Sequence, residues 1–354
     1  METELLSVII PMYNAEEFIP SMIRAIQDQS YGNFEILIVD DHSTDESVVT
    51  VKNMVAHDAR FHIMIRPDSL VKGAQSCRNY AMEWANGTYL IYLDADDWIA
   101  PYCFEQRVGY LDIHTELDFA IFPMMGFKEK PMDVGTILYG YRSSSNDISN
   151  LIRRTLPFVV VTNIYRLNFV RRNNIKWDIK LSSFQDSDFN LSAIIAGGKY
   201  CYSELKPDYF YRISGNENSI SKRIVSSTHA TSHIYFFEKQ VSRLYKSNLY
   251  EKDFLVLSNL LFKIFSFNMD YDYIKKFLSC SFFVKHPFVR YKLTLIAWMK
   301  AKVKCSSSLF VNIFLALICP VYESRFRLVY KKWYNCQNRG CKKLISEIDN
   351  EKVD

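Results

Sequence analysis

The sequence predicts an α/β fold with a largely parallel sheet, followed by an α-rich region. Three observations support this prediction. Apolar strand-like segments alternate with amphipathic helix-like segments through the first part of the chain, a pattern typical of right-handed β-α-β crossovers. Several strand-like segments end abruptly in acidic or aromatic residues. Beyond about residue 225 the alternation stops and only helical periodicity continues.

The N-terminal part is predicted to begin with four strands and three helices. The strand-like segments are short and apolar, whereas the helix-like segments repeat apolar residues at helical spacing. Because the carboxyl ends of parallel strands meet at one edge of a sheet, we expect the loops that follow them to lie close together. The predicted strands are 5–10, 34–39, 61–65 and 88–93, and the predicted helices are 16–29, 48–55 and 72–85.

Three carboxylates follow the last of these strands. Asp94, Asp96 and Asp97 come directly after a buried-type run, and carboxylates this close together repel each other unless a cation neutralises them. Hard oxygen ligands suit Mg²⁺ or Mn²⁺, which keep open positions for phosphate oxygens. The alternative is an Asp-rich turn that caps the next helix.

Four segments occur in a characteristic order: VIIPMYN at 8–14, IVDDHSTD at 38–45, CRN at 77–79 and LDADD at 93–97. Together they resemble the inverting nucleotide-sugar glycosyltransferases of family 2, which have the GT-A fold. The resemblance covers roughly the first 220 residues. It implies a GT-A catalytic domain at 1–225 and a separate α-helical, basic C-terminal region at 226–354.

The first two segments imply a site for the donor nucleotide. Tyr13 follows a strand end, where its ring can stack on a base, and Pro11 presets the loop backbone. By resemblance, Asp41 accepts a hydrogen bond from the base imide. Asp40 is expected to point the other way and to brace the loop. Tyr13 can equally be a packing residue.

The other two segments imply the diphosphate and metal site. The Arg78 guanidinium is expected to pair with the diphosphate or with the carboxylates, and a structural salt bridge is its alternative role. By resemblance, Asp94 contacts the ribose or base, Asp96 binds the metal and Asp97 supports them. The sequence does not decide which carboxylate touches the ion.

A base must remove the proton of the acceptor hydroxyl. The family usually has Glu-Asp at this position, with the second residue as base, and the sequence Gln185-Asp186 matches it with Gln185 in place of Glu. Gln keeps the size but loses the charge. Asp186 is therefore the expected base, with helix capping as its alternative role. Asp188 is the fallback base.

The segment after residue 208 resembles the family's aromatic-Arg motif and the Ser-containing loop that follows it. In this interpretation Arg212 stabilises leaving-group charge, and Ser219 or Ser221 donates a hydrogen bond from a loop that closes over the diphosphate. An exposed Arg and Ser after a strand need no such role.

Charge is distributed unevenly along the chain. From Lys275 to Lys343 there are fifteen Lys or Arg and one acidic residue, Glu323, which suggests a partner. The apolar run Leu309–Tyr322 is shorter than the ~20 residues that span a bilayer. We expect a cytoplasmic protein with peripheral contact to an anionic membrane and a lipid-linked saccharide acceptor. A solvated basic face is the alternative, and nucleic-acid binding is disfavoured because the rest of the chain is acidic.

Four other observations limit the compartment and the class of function. The eight cysteines have neither zinc-site spacing nor the density of a secreted disulfide framework, and the N-terminus has no signal-peptide pattern. A nucleotidyltransferase would have a Gly-rich basic loop after the first strand, and a processive synthase a Gln-x-x-Arg-Trp motif; neither is found. A catalytically silent sugar-nucleotide-binding or scaffold protein remains open because of Gln185.

Overall fold

The computed structural model describes residues 3–131, 133, 137–140, 146–213, 229–245, 249–267 and 271–303. Strands and helices alternate from β1 to β4 and are mixed up to residue 212, and the described elements beyond 229 are helices. The strands are β1 Leu6–Met12, β2 Phe34–Asp40, β3 Phe61–Ile65, β4 Tyr89–Tyr92, β5 Trp98–Ile99, β6 Phe119–Ile121, β7 Met124–Phe127, β8 Ile137–Tyr139, β9 Asn163–Arg166, β10 Tyr200–Tyr202 and β11 Tyr209–Arg212.

Twelve helices are described, together with a 3₁₀ turn at Val160–Thr162. The helices are α1 Ile19–Gln27, α2 Ser47–Met54, α3 Ala74–Trp84, α4 Cys103–Ile113, α5 Asp147–Arg153, α6 Leu167–Arg172, α7 Gln185–Ile195, α8 Ala230–Leu244, α9 Glu251–Phe267, α10 Tyr271–Leu278, α11 Ser281–Lys285 and α12 Pro287–Val303.

The main sheet has seven strands in the order β10-β6-β9-β4-β1-β2-β3. The four strands β4, β1, β2 and β3 pair in parallel, whereas β9 is antiparallel to both of its neighbours. The predicted largely parallel sheet is therefore confirmed. As expected, the ends of β1, β2 and β4 share one edge, which collects the loops singled out in the sequence.

Both faces of this sheet are covered. Val8 and Ile10 of β1 pack into one apolar cluster, while Ile9 between them packs into the other, as the alternation of side chains along a strand requires. The cluster that contains Ile9 continues into the helical region and includes Phe237 and Phe283. The helical region therefore shares a core with one face of the sheet.

The predicted helix starts differ from the structure by a few residues for local reasons. The helix expected at residue 16 begins at Ile19, and the Glu16 N–H ahead of it donates to Asp45 at 3.1 Å. The helix expected at residue 72 begins at Ala74, since Gly73 has φ +139°, a conformation that glycine tolerates best.

A second sheet of four strands, in the order β5-β11-β7-β8, was not predicted. The strand β5 comes directly after the acidic cluster and pairs antiparallel with β11, placing Phe210 opposite Trp98. This pairing brings the end of β11, which carries Arg212, to the acidic cluster. The short strands explain why periodicity alone did not reveal the sheet, since a two-residue strand has too few residues to show a period.

The predicted switch to helix after residue 225 is confirmed for the described residues, with helices expected at 228–247, 251–268 and 287–300 matching α8, α9 and α12. The short helices α10 and α11 were not predicted. None of the described helices combines the length and apolar composition that a membrane-spanning segment requires. The run Leu309–Tyr322 lies outside the described residues. The four described cysteines, Cys77, Cys103, Cys201 and Cys280, are free thiols.

Candidate active site

The three carboxylates after β4 lie in different environments. Asp94 has a side chain 36% exposed, Asp96 is exposed, and Asp97 is only 1% exposed. A turn in which the Asp97 N–H donates to the Asp94 carbonyl, at 3.4 Å, produces this separation. Two carboxylates therefore face outward and one faces the interior.

Asp97 is held by the second sheet. Its oxygens accept from the Tyr209 hydroxyl at 2.6 Å and from the Arg212 backbone N–H at 2.8 Å. The same Tyr209 hydroxyl accepts from the Asp94 N–H at 3.2 Å. Burial, followed by the nearby charges of Asp96 and Asp94, raises the pKa of Asp97. Asp97 therefore joins β11 to the acidic turn, which agrees with the supporting role expected for it.

Asp96 is the outward carboxylate whose charge is least compensated. Desolvation by nearby protein atoms, with the Asp94 charge added, raises the pKa of Asp96 to about 6. The Arg212 guanidinium lies beside it, with Nε donating to the Asp96 carbonyl oxygen at 2.7 Å. A cation placed here would stabilise the ionised form of Asp96.

Arg78 of α3 connects the acidic turn to α7. One terminal nitrogen donates to Asp94 Oδ1 at 2.6 Å, and the other lies 3.5 Å from Gln185 Oε1 at the first residue of α7. The guanidinium also lies over the Trp177 ring, 4.3 Å from its centroid. Its buried Nε has no hydrogen-bond partner among the described residues. Arg78 thus pairs with a carboxylate of the acidic turn, which fits both the expected role and the structural salt bridge, so its role at the diphosphate stays a prediction.

Asp186 is half-buried beside this arginine. Its Oδ1 accepts from the Val160 N–H at 3.1 Å, and no side chain caps α7, whose preceding residue Phe184 has φ +65°. The carboxylate therefore makes no capping hydrogen bond to its own helix, although it lies in the first turn of α7, where a negative charge is favourable; its assignment as base stays a prediction. Burial raises the pKa of Asp186, and the Arg78 charge opposes that rise.

Asp188 faces the other way, into the helical region. It is 1% exposed and accepts from Lys239 Nζ at 2.8 Å and Gln240 Nε2 at 2.7 Å, both on α8. An acceptor hydroxyl has no access to a carboxylate so enclosed. The fallback assignment of Asp188 as base is therefore wrong, because two residues along an α-helix rotate the side chain by about 200°, from the face beside the site to the face that packs on α8.

The residues expected to bind the base line the ends of β1 and β2. Tyr13 is 46% exposed, with the Lys72 ammonium 3.9 Å from its ring centroid, and Pro11 precedes it in β1. Asp40 braces its loop as expected, since its carboxylate accepts from the Ser43 N–H at 3.0 Å.

Asp41 is buried and already has two partners. It accepts from Arg66 Nε at 2.5 Å and from the Gly73 N–H at 2.9 Å. The expected hydrogen bond from a base imide therefore requires Asp41 to share one of these oxygens or to exchange a partner. The assignment stays a prediction.

Several residues that shape the site were missed by sequence reasoning. Arg66 directly follows β3 at the same edge as Asp41, and this position after a parallel strand was a usable signal. Val160 gave no such signal, since its contact depends on a 3₁₀ turn. Tyr209 was noted only as part of the aromatic-Arg segment, and its contacts with Asp97 and Asp94 depend on the unpredicted second sheet. Ser219 and Ser221, the expected loop donors, lie outside the described residues.

Several known proteins similar to this chain are named as glycosyltransferases. Residues 7–173 match the family model "Glycosyl transferase family 2". A segment of 111 residues, 31% of this chain and 44% of the relative, is 35% identical to an uncharacterized glycosyltransferase of Haemophilus influenzae. A segment of 101 residues, 28% of this chain and 38% of the relative, is 38% identical to the Escherichia coli UDP-Glc:alpha-D-GlcNAc-diphosphoundecaprenol beta-1,3-glucosyltransferase WfgD.

A longer match joins sequence and structure. Over 225 residues, 62% of this chain and 37% of the relative, the chain is 24% identical to the Staphylococcus aureus poly(ribitol-phosphate) beta-N-acetylglucosaminyltransferase TarS. The crystal structure of TarS 1–349 with UDP-GlcNAc superposes with a TM-score of 0.53 at 21% identity, covering 74% of this chain and 73% of that one. The chain spans less than half the length of these curated relatives. Residues 7–173, slightly less than half of the chain, thus match the family 2 glycosyltransferase model, and the chain that carries them has the GT-A fold.

Proposed function

We propose that this chain transfers a sugar, with inversion, from a nucleoside-diphosphate donor to a saccharide or lipid-linked saccharide acceptor. The observation that carries the proposal is the bridge formed by Arg78. A single guanidinium contacts Asp94 at the end of β4 and Gln185 at the start of α7, and its charge also acts on Asp186. The acidic turn and the proposed base thus lie near one cation, and a single displacement needs the leaving-group site and the base to be held close to the same sugar.

Asp186 acts as the base in this proposal. Its carboxylate has one hydrogen bond, from Val160, and its raised pKa makes it a better proton acceptor than an ordinary exposed aspartate. Gln185 keeps its hydrogen-bonding oxygen near Arg78 without adding a second negative charge. The proton of the acceptor hydroxyl passes to Asp186 as the oxygen attacks the anomeric carbon, and the nucleoside diphosphate leaves.

Two arginines supply positive charge for the departing diphosphate. Arg78 and Arg212 both lie beside the acidic turn, and Arg212 is fixed by its bond to the Asp96 carbonyl. Preorganised cations of this kind stabilise charge that develops in the transition state without reorganising during the reaction. In the proposal Ser219 adds a donor from the loop that follows β11.

The outward carboxylates fit a divalent cation. Asp96 presents carboxylate oxygens whose negative charge the protein leaves under-compensated, which is the donor chemistry that Mg²⁺ or Mn²⁺ prefers. Within the described ranges no cluster of three or more acidic, His or Cys side chains forms a complete site, so oxygens of the donor diphosphate would complete the ligand set. When bound, the ion would neutralise the charge of the leaving group.

The donor base is proposed to stack on Tyr13 beside Asp41 and Pro11, with Asp94 reaching the ribose. Uridine donors are the first to test, because TarS was crystallised with UDP-GlcNAc and the name of WfgD specifies UDP-Glc. The name of TarS specifies poly(ribitol-phosphate), and that of WfgD a GlcNAc-diphosphoundecaprenol. We therefore propose that the reaction belongs to surface-polysaccharide synthesis.

The organisation of the chain supports this proposal. We propose a catalytic domain at 1–225 and a basic helical region at 226–354 that docks at the cytoplasmic face of an anionic membrane. In the described part, the helical region has few acidic residues, and α8 ties it to α7 through Lys239 and Asp188. A lipid-linked acceptor bound at the membrane would then approach from the side of the helical region.

The proposal is tested with a panel of UDP-, GDP-, CMP- and dTDP-sugars. Mn²⁺-dependent thermal stabilisation and donor hydrolysis are measured for the wild type, Asp96→Ala and Asp186→Asn. We expect one nucleotide class to stabilise the wild type, with the metal-dependent part lost in Asp96→Ala. Asp186→Asn should bind the donor normally, because Asn keeps the oxygen that accepts from Val160. It should turn over about 10²–10⁴-fold more slowly, because the amide cannot act as a base.

Glu83→Gln is the matched control, since it removes one exposed carboxylate from α3 without a described partner. It should behave as the wild type does. A folded protein that binds no nucleotide would contradict the site assignment and favour a scaffold role. If the wild type binds the donor without any turnover, and Asp186→Asn binds it equally well, a silent sugar-nucleotide-binding protein would be favoured.

A further inference from the structure

The helix α12 has apolar residues on two opposite faces. One face packs inward: Leu293, Ile296 and Ala297 are 2%, 3% and 5% exposed. A surface helix of a globular protein normally has one apolar face, and the opposite side is polar. The inward face of α12 therefore accounts for its packing on the bundle, and any further apolar face needs a separate explanation.

The outward face of α12 is also apolar. Phe288, Tyr291, Leu295 and Trp298 are 88%, 70%, 38% and 51% exposed. Their spacings of three, four and three residues place them within one narrow arc of the helix. We call these four residues the α12 stripe. Val284, 70% exposed at the end of α11, precedes the stripe.

Basic residues are concentrated in the segment that carries the stripe. Between residues 271 and 303 the chain has seven Lys or Arg and a single acidic residue, Asp272. The exposed basic residues with described side chains are Lys275 and Lys276 of α10, Lys285 of α11, and Arg290 and Lys292 of α12. Exposed aromatic and aliphatic groups surrounded by cations are typical of an interfacial membrane helix.

We propose that the α12 stripe docks on an anionic lipid surface. Phe288 and Leu295 would enter the boundary between headgroups and acyl chains, while Tyr291 and Trp298 place their polar atoms at the headgroup level. The lysines and arginines of this segment would lie against the negative headgroups. This inference deepens the proposed membrane contact by assigning it to described residues, and it rests on that proposal but not on the transfer chemistry.

Charge favours a lipid surface over a second copy of the chain. In a symmetric dimer that covers the stripe, Lys285, Arg290 and Lys292 of one copy would approach the same residues of the other, and like charges at such an interface repel. An anionic membrane covers the same apolar groups and compensates the positive charge. A membrane therefore both covers the apolar stripe and compensates the neighbouring positive charge.

The test is flotation of the full chain with phosphatidylcholine vesicles, with and without phosphatidylglycerol. The test variant is Phe288→Ser/Tyr291→Ser, which changes two exposed side chains. The matched control is Val49→Ser/Ile113→Ser, which removes two exposed apolar groups, 53% and 79% exposed, from the catalytic domain. The Trp298→Phe variant reports on the stripe through tryptophan fluorescence.

We expect the wild type to float with the anionic vesicles and less as salt is raised. The test variant should bind at least about tenfold more weakly, since it loses two side chains that would be buried, whereas the control should bind as the wild type does. A blue shift of tryptophan emission with vesicles should be largely lost in Trp298→Phe. The double variant Lys275→Glu/Lys276→Glu should bind anionic vesicles more weakly, and its binding to vesicles of phosphatidylcholine only should not change.

Three results would overturn the inference. The first is equal flotation of the test variant and the wild type, and the second is no flotation of the wild type at low salt. The third is a wild type that is dimeric in solution while the test variant is monomeric. Donor-dependent thermal stabilisation of the test variant is measured in the same experiments without vesicles. If the test variant loses flotation but still binds the donor, the defect lies in the α12 stripe and not in the donor site. The two proposals can therefore fail independently.

Discussion

Replacing Asp208 with Asn should destabilise the protein strongly, because it would leave a buried arginine without a counter-charge. Arg107 of α4 and Asp208, the residue before β11, are both 0% exposed. Two hydrogen bonds join them, from Arg107 Nε at 2.9 Å and from its terminal nitrogen at 2.7 Å. Burial alone would lower the pKa of Arg107, and the Asp208 carboxylate overcomes this and raises it.

The size of the effect follows from what remains after the change. In Asp208→Asn, Arg107 keeps its bond to the Val161 carbonyl at 2.9 Å but loses its only described ion-pair partner. Removing one partner of a buried pair costs about 3–5 kcal/mol, so Tm should fall by roughly 10 °C. The double change Arg107→Met/Asp208→Leu removes both charges and should cost less than Asp208→Asn alone.

The assay is urea unfolding followed by circular dichroism, with thermal scans beside it. Arg172→Met is the control, since Arg172 is 58% exposed in its pair with Asp118 and such a pair contributes about 0–1 kcal/mol. If the free energy of unfolding of Asp208→Asn lies within about 1 kcal/mol of the wild-type value, the unpaired buried charge does not destabilise the protein as argued. A double variant less stable than Asp208→Asn would show that the hydrogen bonds, and not the charge imbalance, hold this part of the structure together.

Two further predictions concern the site. Tyr209→Phe removes the hydroxyl that joins Asp97 to the Asp94 N–H. It should lower the free energy of unfolding by about 1–3 kcal/mol and weaken Mn²⁺-dependent donor binding. Both effects are measured by thermal shift, and unchanged values would contradict the bridging role of the hydroxyl. The second prediction is a pH profile of kcat/KM at saturating metal ion: a base acts when deprotonated, so the rate should rise with pH through the raised pKa of Asp186. Because the Arg78 charge lowers that pKa, Arg78→Gln should move this limb to higher pH, and an unmoved limb would assign it to another group.

The sequence was sufficient for the central sheet because its evidence is local. Each of β1, β2 and β4 is a continuous apolar run followed by polar loop residues, so Tyr13, Asp41 and Asp94 could be placed at one edge from the sequence alone. Arg78 was expected beside the carboxylates for the same reason, since α3 leads directly into β4. Its contact with Gln185 could not be foreseen, because 107 residues separate the two in sequence.

The second sheet could not be predicted. The environment of the acidic turn could not be predicted either, because this sheet forms part of it. Its strand β5 has two residues, too few to show a pattern. Yet it decides that Asp97 points inward to Tyr209 while Asp96 points outward. Three neighbouring aspartates thus acquire different roles from tertiary contacts that their own sequence does not encode, which is why the sequence could not decide which one touches the ion.

The position of Asp186 depends on the helical region as well as on its own domain. On α7, Asp186 faces Val160 and Arg78, while Asp188, two residues on, is held by Lys239 and Gln240 of α8. Lys239 also donates to Asp178 at 2.6 Å, so one ammonium fixes α7 and the segment before it. Buried ion pairs of this kind are sensitive to the loss of either partner. The C-terminal helices therefore orient the helix that carries the proposed base, and a membrane contact at α12 would act on the same bundle of helices that holds it.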